Sequence, residues 1–199
     1  MEVSARLMML ALASLALGAV PAAKSIPVGE YGEAILIPAS SPVRLQSIDR
    51  DDRVRFSGRL IVEGTWVLNC DWCQPGQRDN QLYLSIIPNP ATVARLPRWK
   101  NHINDIRIDL SNADPFIRKV STAHERKRLL AGTLTDIRGH AAIVVGNYEA
   151  ALECDSASYS ARFVETTRTA RRADLPTDGS YGCGYALLDA SASTRPSRS

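Results

Sequence analysis

The sequence predicts a mainly β protein with one helix, organised as a five-stranded barrel with N- and C-terminal extensions. Three observations carry this. Residues 53–62 alternate, with Val54, Phe56, Leu60 and Val62 on one side and Arg53, Arg55, Ser57, Arg59 and Ile61 on the other. Residues 127–152 read as two apolar runs, 128–135 and 141–148, joined by a polar turn at 136–140. Within the second run, Ile143-Val144-Val145 suits a strand covered on both faces. Over 53–152 the elements then run strand, strand, strand, helix, strand, strand.

Residues 1–22 carry the marks of an export signal. Arg6 supplies a positive start softened by Glu2, 7–20 is apolar, and small residues surround Ala22, after which cleavage is expected. The run is short of the roughly 20 residues that cross a bilayer. No cysteine precedes Cys70 to take a lipid anchor, and no later stretch is long enough to span. A soluble periplasmic or secreted protein is expected, with no membrane span once the signal is removed.

Residues 23–52 show little periodicity and read as an N-terminal arm, with 33–38 an edge strand stopped by Pro38 and 45–48 leading into the barrel. In the first barrel strand Gly58 falls on the apolar side, where it lets the chain coil. Four apolar partners at about 1.5–3 kcal/mol each fix its register. Pairing is expected to continue over 65–68. Residues 70–81 form a polar loop, and 82–87 is the second strand, presenting Leu82, Leu84 and Ile86 on one face and Tyr83, Ser85 and Ile87 on the other. Pro88-Asn89-Pro90 ends it, a helical turn covers 91–96, and a third strand lies at 106–110.

The helix begins with Asp114 as its cap and Pro115 at the first helical position. Phe116, Val120, Ala123 and Lys127 follow at helical spacing, and 124–128 form a solvated basic end. Residues 53–152 would thus be the barrel and 153–189 a C-terminal β extension with strands at 158–165 and 181–188. Residues 190–199 read as a disordered tail.

The phrases RFSGRL in the first strand and LLAGTL in the fourth, with a helix between the third and fourth strands, resemble the OB-fold. In particular, the chain is similar to small exported bacterial OB-fold proteins of unassigned function, over about half of its length. The resemblance implies a Greek-key barrel that binds oligonucleotides, oligosaccharides, peptides or proteins across strands two and three and the adjoining loops.

Four cysteines, Cys70, Cys73, Cys154 and Cys183, follow the export signal, and in an oxidising compartment they imply structural disulfides. The local pairing Cys70–Cys73 with Cys154–Cys183 is preferred, and the two crossed pairings stay open. As a redox dithiol, Cys70-Asp71-Trp72-Cys73 would need a helix N-terminus or a cation to stabilise a thiolate, yet Gln74-Pro75-Gly76 reads as a turn. As a zinc site it would need a second close pair, and Cys154 and Cys183 lie far apart. His102, His124 and His140 fall on different elements and read as surface residues. Asp49, Asp51 and Asp52 lack the glycine and downstream glutamate of a calcium loop. No Gly-x-Ser-x-Gly elbow occurs.

Trp66, Trp72, Arg78 and Tyr83 are the candidate ligand-binding residues, an aromatic and basic set near the second strand that suits stacking on sugars or bases. Trp99, Arg95, Arg98 and Lys100 are near in sequence. The net charge of +3 is too mild for a dense nucleic-acid footprint. The expected function is an exported, non-enzymatic binding or interaction module of the cell envelope. Its partner is a glycan, a peptide or another envelope protein, and no cofactor or metal is called for. The alternative is a thiol-redox or metal-binding protein working through Cys70 and Cys73.

Overall fold

The computed structural model describes residues 22–29, 32–70, 73, 77, 79–102, 106–153, 156–168 and the backbone of 171–172. The elements are β1 (Lys24–Val28), β2 (Glu33–Ile37), β3 (Arg44–Ile48), β4 (Arg53–Asn69), β5 (Tyr83–Pro88), α1 (Pro90–Val93) and β6 (Arg98–Trp99). They continue with β7 (Ile108–Ser111), α2 (Asp114–Val120), α3 (Ala123–Leu130), β8 (Asp136–Glu153), β9 (Ser156–Thr166) and β10 (Arg171–Arg172). The protein is β-rich, and β4, β5, β7, β9 and β8 close into a five-stranded mixed barrel. The β7–β9 pair is parallel, the other neighbours are antiparallel, and β8 pairing along β4 completes the circle.

Two long strands make closure possible. The inward residues of β4 are Val54, Phe56, Leu60, Val62, Trp66 and Leu68, all buried, and the alternation expected over 53–62 runs on to Asn69. Gly58 bends it. Its φ of 107° lies where only glycine is at ease, and the β4–β8 register slips between Phe56 and Arg59. On β8 the inward set switches parity between Val145 and Tyr148, around a register shift at Gly146/Glu149 and a left-handed Asn147 at φ 50°. Ile143, Val144 and Val145 are all buried, as a strand covered on both faces requires.

The segment 127–152 is not the expected hairpin. Residues 128–130 end α3, and 131–135 form its exit turn. Gly132 takes φ 68° while the Thr133 amide donates to the Arg128 carbonyl at 2.9 Å. The polar residues 136–140 are strand, their outward side chains facing solvent on β8. The barrel's fifth strand is therefore β9, which sequence reading placed in the C-terminal extension, and the barrel spans 53–166 rather than 53–152.

The single expected helix is two, and the helical turn expected over 91–96 is the four-residue α1. Asp114 is the first residue of α2, after an Ala113 N-cap that offers no side chain. The chain turns extended at Ser121, whose hydroxyl donates back to the Ile117 carbonyl at 2.6 Å. Thr122 and Glu125 then form a reciprocal capping box that starts α3. Phe116 packs edge-on against Trp66 with centroids 5.7 Å apart, seating the helices on the core.

The N-terminal arm carries more structure than its weak periodicity suggested. The hairpin of β1 and β2 joins β6 in a three-stranded sheet, and β3 pairs with the start of β4. Val28, Ile35, Leu96 and Trp99 enter the same core as the barrel residues. Asp49 and Asp51 meet Arg55 and Arg53, so they balance the basic face of β4. Hydrogen bonding to Glu149 and the nearby Asp49 raise the Arg55 pKa further.

Candidate binding face

Directly opposed residues in neighbouring strands share a face. The register therefore assembles three outward rows across β8, β4 and β5: Asp136–Asn69–Tyr83, Arg138–Val67–Ser85 and His140–Thr65–Ile87. Ser85 also faces Asp109 on β7, which faces Ser160 on β9. The intervening rows, such as Trp66–Ile86–Ile108, point into the core.

Along β5 this face has relief. Ser85 and Val67 form a floor, each 3 % exposed, while Tyr83 and Ile87 stand up on either side at 45 % and 46 %. Their Cα atoms are about 13 Å apart along an extended strand. Arg107 lies across the floor and donates through Nε to the Ser85 hydroxyl at 2.8 Å. Arg138 forks onto Asp136 at 3.0 and 2.7 Å, and the Thr65 hydroxyl lies 3.2 Å from His140 Nδ1. The face thus offers an aromatic ring, an aliphatic rim and fixed polar groups between them.

The loop after β4 adjoins the Tyr83 end. Cys70 and Cys73 are joined by a disulfide with Cα atoms 5.4 Å apart, which fixes the loop's start just past Asn69, the residue paired with Tyr83. Asn80 ties its far side down by donating to the Leu130 carbonyl at 2.8 Å.

Of the four candidate ligand-binding residues, Tyr83 stands exposed on this face. Trp66 is 1 % exposed and packs against Phe116, so its position on an inward row of β4 makes it a core residue with no face to offer a ligand. Trp72 and Arg78, with Cys154, Cys183 and the export segment, lie outside the described residues. Trp99 is fully buried, its indole donating to the Ala151 carbonyl at 3.1 Å. Among the described residues no three metal-ligating side chains converge, and no helix is long and apolar enough to cross a membrane. Ile87 and Arg107 were the missed members. Ile87 was legible in the alternation of 82–87, but Arg107 reaches the face only through a strand pairing.

No protein-family model, no curated protein and no solved structure matches this chain.

Proposed function

We propose that the protein is an exported, soluble, non-enzymatic binding module of the OB-like type. Its ligand lies across the outer face of β4, β5 and β7, beside the Cys70–Cys73 loop. The observation that carries this reading is the pair Tyr83 and Ile87, two large half-exposed side chains flanking a buried polar floor on one strand. A single exposed apolar side chain is ordinary, as Ile61 on the outside of β4 is, but two on one rim around a buried polar residue suit contact with a partner. The strand order β4-β5-β7-β9-β8, closing on β4 with α2 and α3 between the third and fourth barrel strands, supports the OB-like reading. In that architecture strands two and three and the loop between strands one and two form the usual site. Here these are β5, β7 and residues 70–82.

Export is inferred from the signal-like residues 1–22, and a Cys70–Cys73 disulfide is compatible with an oxidising compartment. The ligand classes that fit are a glycan, stacked on Tyr83 and bonded by Arg107 and Asp109, or an extended peptide. Equilibrium binding of the purified protein to neutral oligosaccharide and peptide panels tests the reading. Binding that falls at least tenfold in Tyr83→Ala, with thermal stability unchanged, upholds it. Ligands that bind Tyr83→Ala as well as the parent overturn it.

A further inference from the structure

In the rows through Tyr83, Ser85 and Ile87 the titratable neighbours are Asp136, Arg138, His140 and Asp109, with Arg107 reaching in from β7. Arg138 forks onto Asp136, the Thr65 hydroxyl lies 3.2 Å from His140, and Asp109 is partnered as well. Arg107 differs from them. It is exposed and makes no ion pair among the described residues. It is nevertheless held, because its Nε donates at 2.8 Å to the hydroxyl of Ser85, a residue that is itself buried. A guanidinium anchored through Nε keeps its two terminal nitrogens for a second partner, and their planar fork matches a carboxylate.

Position selects among carboxylate ligands. Tyr83, Ser85 and Ile87 are alternate residues of β5, so the anchor of the fork lies about 7 Å from each rim residue. An extended peptide repeats its side chains on one face at the same interval. A chain laid along β5 in the pattern apolar–x–acid–x–apolar therefore sets its carboxylate over Ser85 and Arg107 and its apolar side chains on Tyr83 and Ile87. A glycan could stack on the Tyr83 ring but gains little from the branched aliphatic Ile87, and an oligonucleotide finds one ring for its successive bases. Asp109, opposite Ser85 on β7, repels further acids beside the first, so a single acid suits the face better than a run of them.

Resting on the reading of this face as the binding site, we propose that its ligand is an extended peptide carrying one acidic residue between two apolar ones, each two positions away. Arg107 is the specificity-determining residue. It takes the carboxylate, and Ser85 fixes its orientation.

The test is an NMR titration of the full mature protein with the blocked heptapeptide ALTETLA. The parent is expected to bind it at least tenfold tighter than ALTQTLA, which lacks the charge. A similar loss is expected for ALTETTLA, whose inserted residue turns the second leucine to the other face. Arg107→Gln is expected to bind the Glu and Gln heptapeptides alike, and to match the parent on the Gln one, which shows its face intact. Tyr83→Ala is expected to weaken both. Equal affinity of the parent for the two heptapeptides, or an acid preference kept by Arg107→Gln, overturns this inference and leaves the face as a binding site if Tyr83→Ala still weakens binding. The same holds if the parent ignores the peptides but binds a neutral oligosaccharide through Tyr83. Peptide binding indifferent to Tyr83→Ala overturns both readings. Tighter binding to oligo(dT) or to vesicles of anionic phospholipid than to ALTETLA overturns the peptide assignment.

Discussion

The hydroxyl of Tyr148 on β8 donates to the carbonyl of Pro97, 2.8 Å away, and so fastens the segment leading into β6 to the inside of the barrel. Tyr159 on β9 lies beside it, rings stacked 6.3 Å apart, and its hydroxyl accepts from the Trp99 amide at 3.2 Å. The N-terminal sheet is thus held to the barrel by two buried phenols, and the bond that Tyr148 donates needs its proton. Burial raises the Tyr148 pKa well above its ordinary value, with neighbouring Tyr159 adding to the rise, and burial also raises that of Tyr159.

This has a signed consequence. In the unfolded chain both phenols ionise near pH 10, whereas the folded protein keeps its protons to higher pH. Above about pH 10 the unfolded state binds fewer protons, so stability falls as pH rises. Urea unfolding at pH 8 and pH 11 should show this loss, and Tyr148→Phe should flatten the slope. That variant should cost about 1–3 kcal/mol at pH 8, because it strips a buried carbonyl of its donor. An unchanged slope would place the phenols in water.

Gly64 permits a close approach of two backbones. A Cβ there would run into the carbonyl of Ile87 on the paired strand β5. Gly64→Ala should therefore destabilise by about 1–3 kcal/mol or more, since neither backbone can give way. Gly58→Val should cost a similar amount through its φ of 107° and the Pro42 carbonyl 3.3 Å from the new Cβ. At Gly132 there is room, the nearest atom being 3.8 Å away, and the cost is conformational, at φ 68°. Gly132→Asn should then cost much less than Gly132→Val, because asparagine tolerates the left-handed region. Melting temperatures of the four variants check the ordering.

The Cys70–Cys73 bond closes a ring of four residues, worth about 2 kcal/mol of constraint on the unfolded chain. Cys70→Ser/Cys73→Ser should lower stability by about that amount and leave the fold intact. On secreted material, intact mass should also show cleavage near Ala22, and non-reducing peptide mapping should find Cys70 and Cys73 in one linked fragment. Titratable thiols at both positions in the native protein would support the redox alternative.

Much of the barrel was legible because alternation is a local signal. Val54 to Val62 and Leu82 to Ile87 declare their inward and outward faces without reference to any partner. Where glycine interrupts, the same signal misleads. Gly64 and Gly146 resemble strand ends but sit inside β4 and β8, one allowing a close backbone approach and the other a change of parity. The run 128–135 reads as a strand because it is short and apolar. The capping box at Thr122 and Glu125 was the sequence feature that assigned 123–130 to a helix instead. Trp66 illustrates why the site was only half legible. Its even-numbered place in the β4 alternation already put it inside, whereas Arg107 joins Ser85 only through the register of two strands distant in sequence.

The central claim is that the outer face of β5, with its adjoining loop, is where this protein binds. Its most direct test is a parallel affinity measurement of the parent, Tyr83→Ala, Ile87→Ala and Trp72→Ala proteins against the tightest ligand from the oligosaccharide and peptide panels, with melting curves for each. Loss of a stacking contact at Tyr83 or Trp72 should remove roughly 1–3 kcal/mol, near tenfold or more in affinity, with the melting temperature unchanged. Trp66→Ala, by contrast, should cost about 3–5 kcal/mol of stability as a core truncation. Affinity retained in all three variants, or a panel with no ligand for the parent, would contradict the assignment.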